Sequence, residues 1–373
     1  MAKILIIVLS ESHKDPRVQR QISSLENHHQ LTVAAYTNPK VSNIEFIRIV
    51  ERPPNKLFKK IFNAGILFFG YYEKYYWSQS EVRQLVKKIK CNQYDLIIAN
   101  DIETLPISLL LANNGHVIVD LHEYSPCECD DLLVFRLFLK KYKTYLCKRY
   151  IKSANSAITV SPNISNAYSK LTGVMPYIVS NATDYKEITP KFISKYPVKI
   201  IHHGAAIRSR KLELMIKMMS LLDSKYELHL MLVGDKKYIR KLEKFSNSKN
   251  IYFHDPVEYP EIVNTISKYD LGIFYLYPSN FNNEYALPNK IFEFVQARLP
   301  ILIGPSPEMR NLVNGYKIGV VSEEFTIESL AQKIESLSID KINRYKENVH
   351  AVAKILCTGK YKDNYYDVVS KSL

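Results

Sequence analysis

Short runs of consecutive apolar residues recur along the chain, separated by amphipathic or polar stretches. KILIIVLS (3–10), LTVAAYT (31–37), DLIIAN (95–100), HVIVDLH (116–122), SAITVSP (156–162) and YIVSN (177–181) do not alternate apolar with polar positions. They read as strands buried on both faces. Asp15 and Pro16 start a helix, with Val18, Ile22 and Leu25 at helical spacing. The pattern then restarts. VKIIHHG (198–204), ELHLMLVG (227–234), NIYFHD (250–255), LGIFYL (271–276), PILIG (300–304) and IGVVS (318–322) read as strands, with helices near 211–222, 236–246, 259–268, 288–298 and 326–337. The proline-bearing polar stretch 182–197 separates the two sets. The expectation is α/β: two Rossmann-like domains with parallel sheets facing across a cleft, over 1–184 and 185–340. A helical tail, 341–373, is then free to cross back to the first domain. Open parallel sheets bind ligands at the carboxyl ends of their strands.

Residues 286–304, ALPNKIFEFVQARLPILIG, carry the most specific chemistry. Leu287, Ile291, Phe292, Phe294 and Val295 wrap most of a helix, which predicts burial, and a carboxylate there is costly unless something bonds it. Pro288 suits the first turn. Lys290 then stands at the positive end of the helix dipole, where a nearby anion would favour it. Lys290 and Glu293 face the same way, and a cation for phosphate with a carboxylate for a hydroxyl pair would suit a nucleotide-sugar. The two side chains pairing with each other is an equal alternative.

At 373 residues with ordinary apolar content, the chain is long enough for two globular domains. A formal net charge of +14 implies an anionic partner: nucleic acid, acidic lipid or phosphorylated ligand. The 5 cysteines form no CxxC pair and read as reduced thiols. The opening apolar run is too short for a signal peptide, and no run reaches the ~20 residues of a membrane span. A cytoplasmic location is expected. Two segments gather lysines with aromatic and apolar residues: 56–77, which holds the only Trp, and 132–152, with Arg136, Lys140, Lys141, Lys143, Lys148, Arg149 and Lys152. Basic amphipathic helices of this kind bind anionic membrane surfaces, so peripheral docking at the inner face of the cytoplasmic membrane is one expectation. A helix buried on the sheet with a solvated lysine face is the other.

Several segments together resemble the family-4 retaining glycosyltransferases of the GT-B fold, of the bacterial surface-polysaccharide type. They are SESHKDPRVQRQISSL (10–25), DLIIANDIETLP (95–106) with VIVDLHEYSP (117–126), SAITVSPNIS (156–165) with IVSNATD (178–184), IIHHG and RSRKLELMI (200–216), and ALPNKIFEFVQARLPILIG. The resemblance implies an acceptor-side N-terminal domain and a donor-binding C-terminal one. It implies transfer of a sugar from a UDP- or GDP-sugar to a saccharide or lipid-linked glycan, with retention, and with no metal or other cofactor. Lys290 and Arg210, and His122 beside the transferred sugar, are the implied catalytic residues. Glu293, Gly204 and Asn289 are implied at the donor. Arg208 is the substitute for Arg210, and a solvated basic loop is the alternative to both. The family's first glutamate falls at Tyr285 here, with Glu284 one residue away as its replacement. Asp15, Arg17 and Glu123 are the acceptor-side candidates, although Asp15 serves equally as a helix cap and Glu123 as a loop brace. Asn181 braces the turn that follows its strand.

His202 and His203 are adjacent on a strand and point to opposite faces, so they cannot share one metal. The chain lacks Asp-x-Asp after a strand, G-x-G-x-x-G and G-x-x-x-x-G-K-[ST], which argues against metal-dependent GT-A enzymes, dinucleotide oxidoreductases and P-loop NTPases. Nucleic acid is not an expected partner, because no binding module is recognisable. A nucleotide-sugar 2-epimerase of the same fold and an inactive transferase partner are the remaining alternatives.

Overall fold

A computed structural model describes every residue except 54–56 and 247–249, and every remaining side chain except those of 57–60 and 360–363. Two compact units divide the chain. One comprises Met1–Ser180, Asn280–Asn282 and Lys362–Leu373; the other comprises Asn181–Ser279 and Asn283–Tyr361. Each is built on its own parallel sheet.

The first sheet contains β1 (Lys3–Ile7), β2 (Gln30–Ala35), β3 (Glu45–Arg48), β4 (Leu96–Asn100), β5 (His116–Leu121), β6 (Ser156–Thr159) and β7 (Tyr177–Ile178), in the order β3-β2-β1-β4-β5-β6-β7. The second contains β8 (Val198–Ala206), β9 (Tyr226–Gly234), β10 (Ile251–His254), β11 (Leu271–Phe274), β12 (Ile301–Ile303) and β13 (Gly319–Val321), in the order β10-β9-β8-β11-β12-β13. Winding outward from the first strand in both directions is the doubly wound arrangement. It places a reversal of strand order between β1 and β4 in one unit and between β8 and β11 in the other.

The unalternating sequence of the strands follows from burial on both faces. In the second unit Ile200, Leu271 and Leu302 join one apolar cluster, while their neighbours Ile201, Phe274 and Ile303 join the cluster on the opposite face. The helix Asn289–Gln296 lies on the latter face, with Ile291, Phe294 and Val295 fully buried. It closes tightly on β11 because residue 272 is glycine. A Cβ there would fall 2.5 Å from the Phe294 ring.

Two elements differ from the expectation. No strand was expected at 45–48, yet β3 pairs with β2 from Thr32↔Glu45 to Ala35↔Arg48. Its short, half-exposed sequence carries little apolar signal. Pro288 also stands one position before the helix, as its N-cap, and not inside the first turn.

Candidate active site

In the second unit the candidate donor residues collect at the carboxyl end of β8, beside the strand-order reversal. Gly204 has φ +119°, a conformation that a side chain strongly disfavours. The lack of a side chain also leaves room for Lys290: a Cβ at Gly204 would lie 2.5 Å from both Cε and Nζ of that lysine. The Lys290 ammonium stands 5.4 Å from the centre of the Phe274 ring, at the end of β11. Burial, followed by the nearby Arg210 charge, pushes the Lys290 pKa down to about 8, against the opposing pull of Glu293. Arg210 closes the short helical turn Arg208–Arg210 after β8, and burial lowers its pKa too. Two cations are thus held close at the start of an eight-residue helix whose N-cap, Pro288, offers no side-chain acceptor. Such a place favours an anion.

Glu293 lies one turn deeper and is 4% exposed. Its Oε2 is 3.3 Å from Nε2 of His203, which is equally buried. Burial and then the Lys290 charge hold His203 well below the usual histidine pKa, so this contact joins a neutral imidazole to the carboxylate. His202 points to the other side of the strand. There its Nδ1 lies 3.0 Å from the Ile273 carbonyl, and its ring stacks on Phe274. Its pKa falls to about 3, again through burial first and Lys290 second.

The remaining donor candidates occupy the surroundings. Asn289 opens the helix and is half-buried. Glu284 ends the turn Phe281–Glu284 and hydrogen-bonds Tyr285, whose phenol pKa is raised by burial first and by this carboxylate second. Arg208 is drawn away from Lys290. It pairs with exposed Asp235 at 3.1 Å and lies over the ring of buried Tyr238 at 4.7 Å. Of the two arginines weighed for the phosphates, Arg210 is therefore the one beside Lys290. Asn181 donates from Nδ2 to the Leu287 carbonyl at 3.2 Å and braces the loop entering the helix.

The first unit carries the acceptor-side candidates. His122 follows β5, with Nε2 3.1 Å from Asn100 Oδ1 and Nδ1 3.6 Å from Asp101 Oδ2. An amide oxygen only accepts, so the Nε2–H tautomer satisfies the first contact. Glu123 accepts from Asn282 Nδ2 at 3.2 Å. Burial, then Glu128 and Asp101, push its carboxyl pKa up to about 9, which keeps it protonated at neutral pH. Asp15 caps the helix Pro16–Leu25, accepting from the Arg17 and Val18 amides. Arg17 is buried against Asp120: Nε donates to its two oxygens at 3.0 and 2.9 Å, and Nη2 at 2.6 Å. Nη1 donates to the Val179 carbonyl at 3.0 Å. This guanidinium locks strand ends together from inside.

Residues outside the expected set also matter. Lys143, counted in the basic surface, is buried and reaches Glu103 and Glu128. Lys140 pairs with Asp130 at 2.9 Å. The lysines at 143 and 148 look alike in sequence; only the turn they occupy on the helix Lys140–Tyr150 separates the buried one from the exposed one. Asp101, with φ +63°, bends the chain after β4 and aims its carboxylate at His122. Lys56 lies outside the described residues.

These two doubly wound units define the GT-B fold class of glycosyltransferases. Residues 185–353 match the family Glycosyl transferases group 1. The chain carries a group 1 glycosyl transferase domain and is a glycosyltransferase. Among solved structures, sucrose-phosphate synthase from Thermosynechococcus elongatus superposes with a TM-score of 0.73 at 12% identity, covering 100% of this chain and 99% of its own. Anabaena Alr3699/HepE in complex with UDP-glucose gives 0.72 at 15%, with both chains covered 100%. WaaG, a glycosyltransferase involved in lipopolysaccharide biosynthesis, gives 0.65 at 13%, covering 98% and 99%. No curated protein matches the chain in sequence.

Proposed function

We propose that the enzyme transfers a sugar, with retention of configuration, from a UDP- or GDP-sugar to a hydroxyl of a saccharide or lipid-linked glycan during surface-polysaccharide synthesis. The seating of Lys290 over Gly204 beside Arg210 carries this reading. A nucleotide diphosphate takes its place against the two cations and the helix start, and Glu293 accepts from the donor's ribose hydroxyls. The UDP-glucose bound to the HepE structure supports the donor class. The lipopolysaccharide role of WaaG supports the acceptor class.

The bond from the sugar's anomeric carbon to the diphosphate breaks, and charge develops on the leaving oxygen. Prepositioned cations stabilise that charge without reorganising. The acceptor hydroxyl attacks from the face the diphosphate leaves, and its proton passes to a phosphate oxygen. No enzyme nucleophile is invoked, unlike retaining hydrolases with two carboxylates. His122, oriented by Asn100 and Asp101, is assigned a hydroxyl of the transferred sugar. No metal is assigned a role.

Peripheral membrane docking forms part of the proposal. No helix among the described residues is long and apolar enough to cross a membrane. Arg136, Lys141, Lys148 and Arg149 remain exposed on the 132–152 segment.

A thermal-shift screen of UDP-, GDP-, ADP- and CMP-sugars tests the donor. A ligand at 100 times its dissociation constant adds about 2.7 kcal/mol. The shift should appear with one nucleotide class and vanish in Arg210→Ala and Glu293→Ala. Full donor affinity and turnover in both variants would remove the assignment. Incubation with donor alone, without formation of an epimer, separates transfer from 2-epimerisation.

A further inference from the structure

The first unit contains a cavity of about 320 Å³. Leu9 and Tyr36 place it just past the carboxyl ends of β1 and β2. Tyr75, Tyr76 and Tyr142 supply aromatic walls, and the charged groups Glu128 and Lys143 reach its lining. Lys143 is buried and joined to Glu128 at 2.5 Å, so the polar side of the cavity is built into the fold. Aromatic faces opposite hydrogen-bonding polar groups match a sugar ring, which has apolar C–H faces and a rim of hydroxyls. The volume is at the small end for ligand pockets, about 300–1,000 Å³, and suits one or two sugar units.

One wall of this cavity is also the inner side of an exposed apolar surface. Phe135 and Leu139 face the cavity from a single π-helical turn, Phe135–Leu139. Such turns are rare and concentrate at functional sites. On the outside of the same segment Leu133, Val134 and Leu137 are 60%, 66% and 56% exposed. The helix Leu57–Phe68 packs against this turn and ends in Phe68, followed by Phe69; these two are 73% and 71% exposed. Large side chains exposed in such a group mark an interaction surface. Exposed Arg136 and Lys141 on the same segment complement an anionic lipid surface.

The geometry points to a binding site for the saccharide head of a membrane-bound amphiphile, with the sugar in the tyrosine-walled cavity and the lipid against the apolar surface outside it. This inference rests on the transferase reading and names the acceptor class and the residues that receive it. Tyr75 and Tyr142 stack on the ring, Glu128 accepts from its hydroxyls, and Val134 and Leu137 cover the first methylenes of the chain. The two parts share one wall, so occupant and membrane surface are recognised together.

Trp77, the only tryptophan, sits between the cavity residues Tyr76 and Gln79, with its ring 5.0 Å from that of Tyr76. Its fluorescence therefore reports occupancy without a label. Methyl and octyl glycosides of glucose, galactose, mannose and N-acetylglucosamine are titrated below their micelle concentrations, with a sugarless octyl detergent as control. At least one octyl glycoside should saturate the signal and bind about 100-fold tighter than its methyl partner, as three to four methylenes leave water. Tyr75→Ala and Glu128→Gln should each weaken it at least about tenfold. Val134→Glu with Leu137→Glu should remove most of the octyl advantage and leave methyl glycoside binding in place. Circular dichroism confirms that each variant is folded. No saturable glycoside, equal binding of the sugarless detergent, or glycoside binding indifferent to both Tyr75→Ala and Glu128→Gln would overturn the site. The donor-induced thermal shift, read separately, reports the transferase reading, since glycoside binding needs no donor.

Discussion

Raising the pH should strip the proton from Lys290 and much of the donor affinity with it. Burial, with Arg210 alongside, holds this amine at about 8, where an ordinary lysine titrates near about 10.4. At pH 7 about nine-tenths of the amines carry a proton, and at pH 9 about one-tenth do. If only the ammonium holds the diphosphate, the Kd for the free nucleotide diphosphate rises about tenfold between these pH values, or about 1.4 kcal/mol. The bound diphosphate restores the charge, so binding at pH 8 takes up about half a proton. Isothermal titration at pH 7, 8 and 9, in two buffers of different ionisation enthalpy, measures both quantities. Lys290→Arg, whose charge does not titrate in this range, should flatten the profile. The same lysine affects stability with a definite sign. Its folded pKa lies below its unfolded value, so the unfolded chain binds more protons between about pH 8 and 10, and the penalty for burying the amine eases as pH rises through that window. A wild-type Kd constant from pH 7 to 9, without proton uptake, would refute the placement of Lys290 at the diphosphate.

Three further outcomes follow from the geometry. Gly204→Ala places a Cβ at 2.5 Å from the Lys290 amine and strains a φ of +119°; stability should fall by about 1–3 kcal/mol, and nucleotide affinity measured by calorimetry should drop at least about tenfold. Arg17→Met leaves buried Asp120 without its cation; the cost of about 3–5 kcal/mol should lower the melting temperature of the first unit by about 6–20 °C, while donor affinity measured on the second unit stays unchanged. Burial tends to raise the Asp120 pKa, but Arg17 outweighs it and holds the carboxyl below its usual range. Wild-type stability from this pair is therefore present above about pH 4 and is lost as pH falls through the folded value, a slope that acid titration of Arg17→Met should lack. Turnover by protein passed over a chelating resin should equal that of untreated protein, and loss of turnover restored by a divalent cation would contradict the metal-free assignment.

The parallel architecture was readable because strands covered on both faces leave uninterrupted apolar runs, as in Ile4–Ile7 or Leu96–Ala99. The edge strand Glu45–Arg48 lacks one covered side and left no such run. At the candidate site, the spacing of Lys290 and Glu293 on one helix is local information, and the glycine before the Arg208–Arg210 turn is nearly so. Contacts between distant parts of the chain leave no local trace. Arg17 and Asp120 lie 103 residues apart, and nothing about either residue announces the other. Arg208 and Arg210 differ in sequence only by register; the N-cap Asp235, on another element, draws one of them aside. Lys143 reads as one more surface lysine until helix phase turns it inward onto Glu128.

Residues 362–373 belong to the same compact unit as residues 1–180, which are made long before them. Tyr365 and Val369 are fully buried there, Tyr366 packs against His28 with ring centres 5.1 Å apart, and Ser372 meets Ser156. During synthesis on a ribosome, the amino-terminal unit therefore waits with an uncovered apolar strip until residues 362–373 have been made, while the unit encoded in between can finish folding earlier. A nascent chain lacking residues 362–373 should recruit holding chaperones through that strip, and a stop codon shortly before Lys362 should yield an aggregation-prone product with its second unit intact.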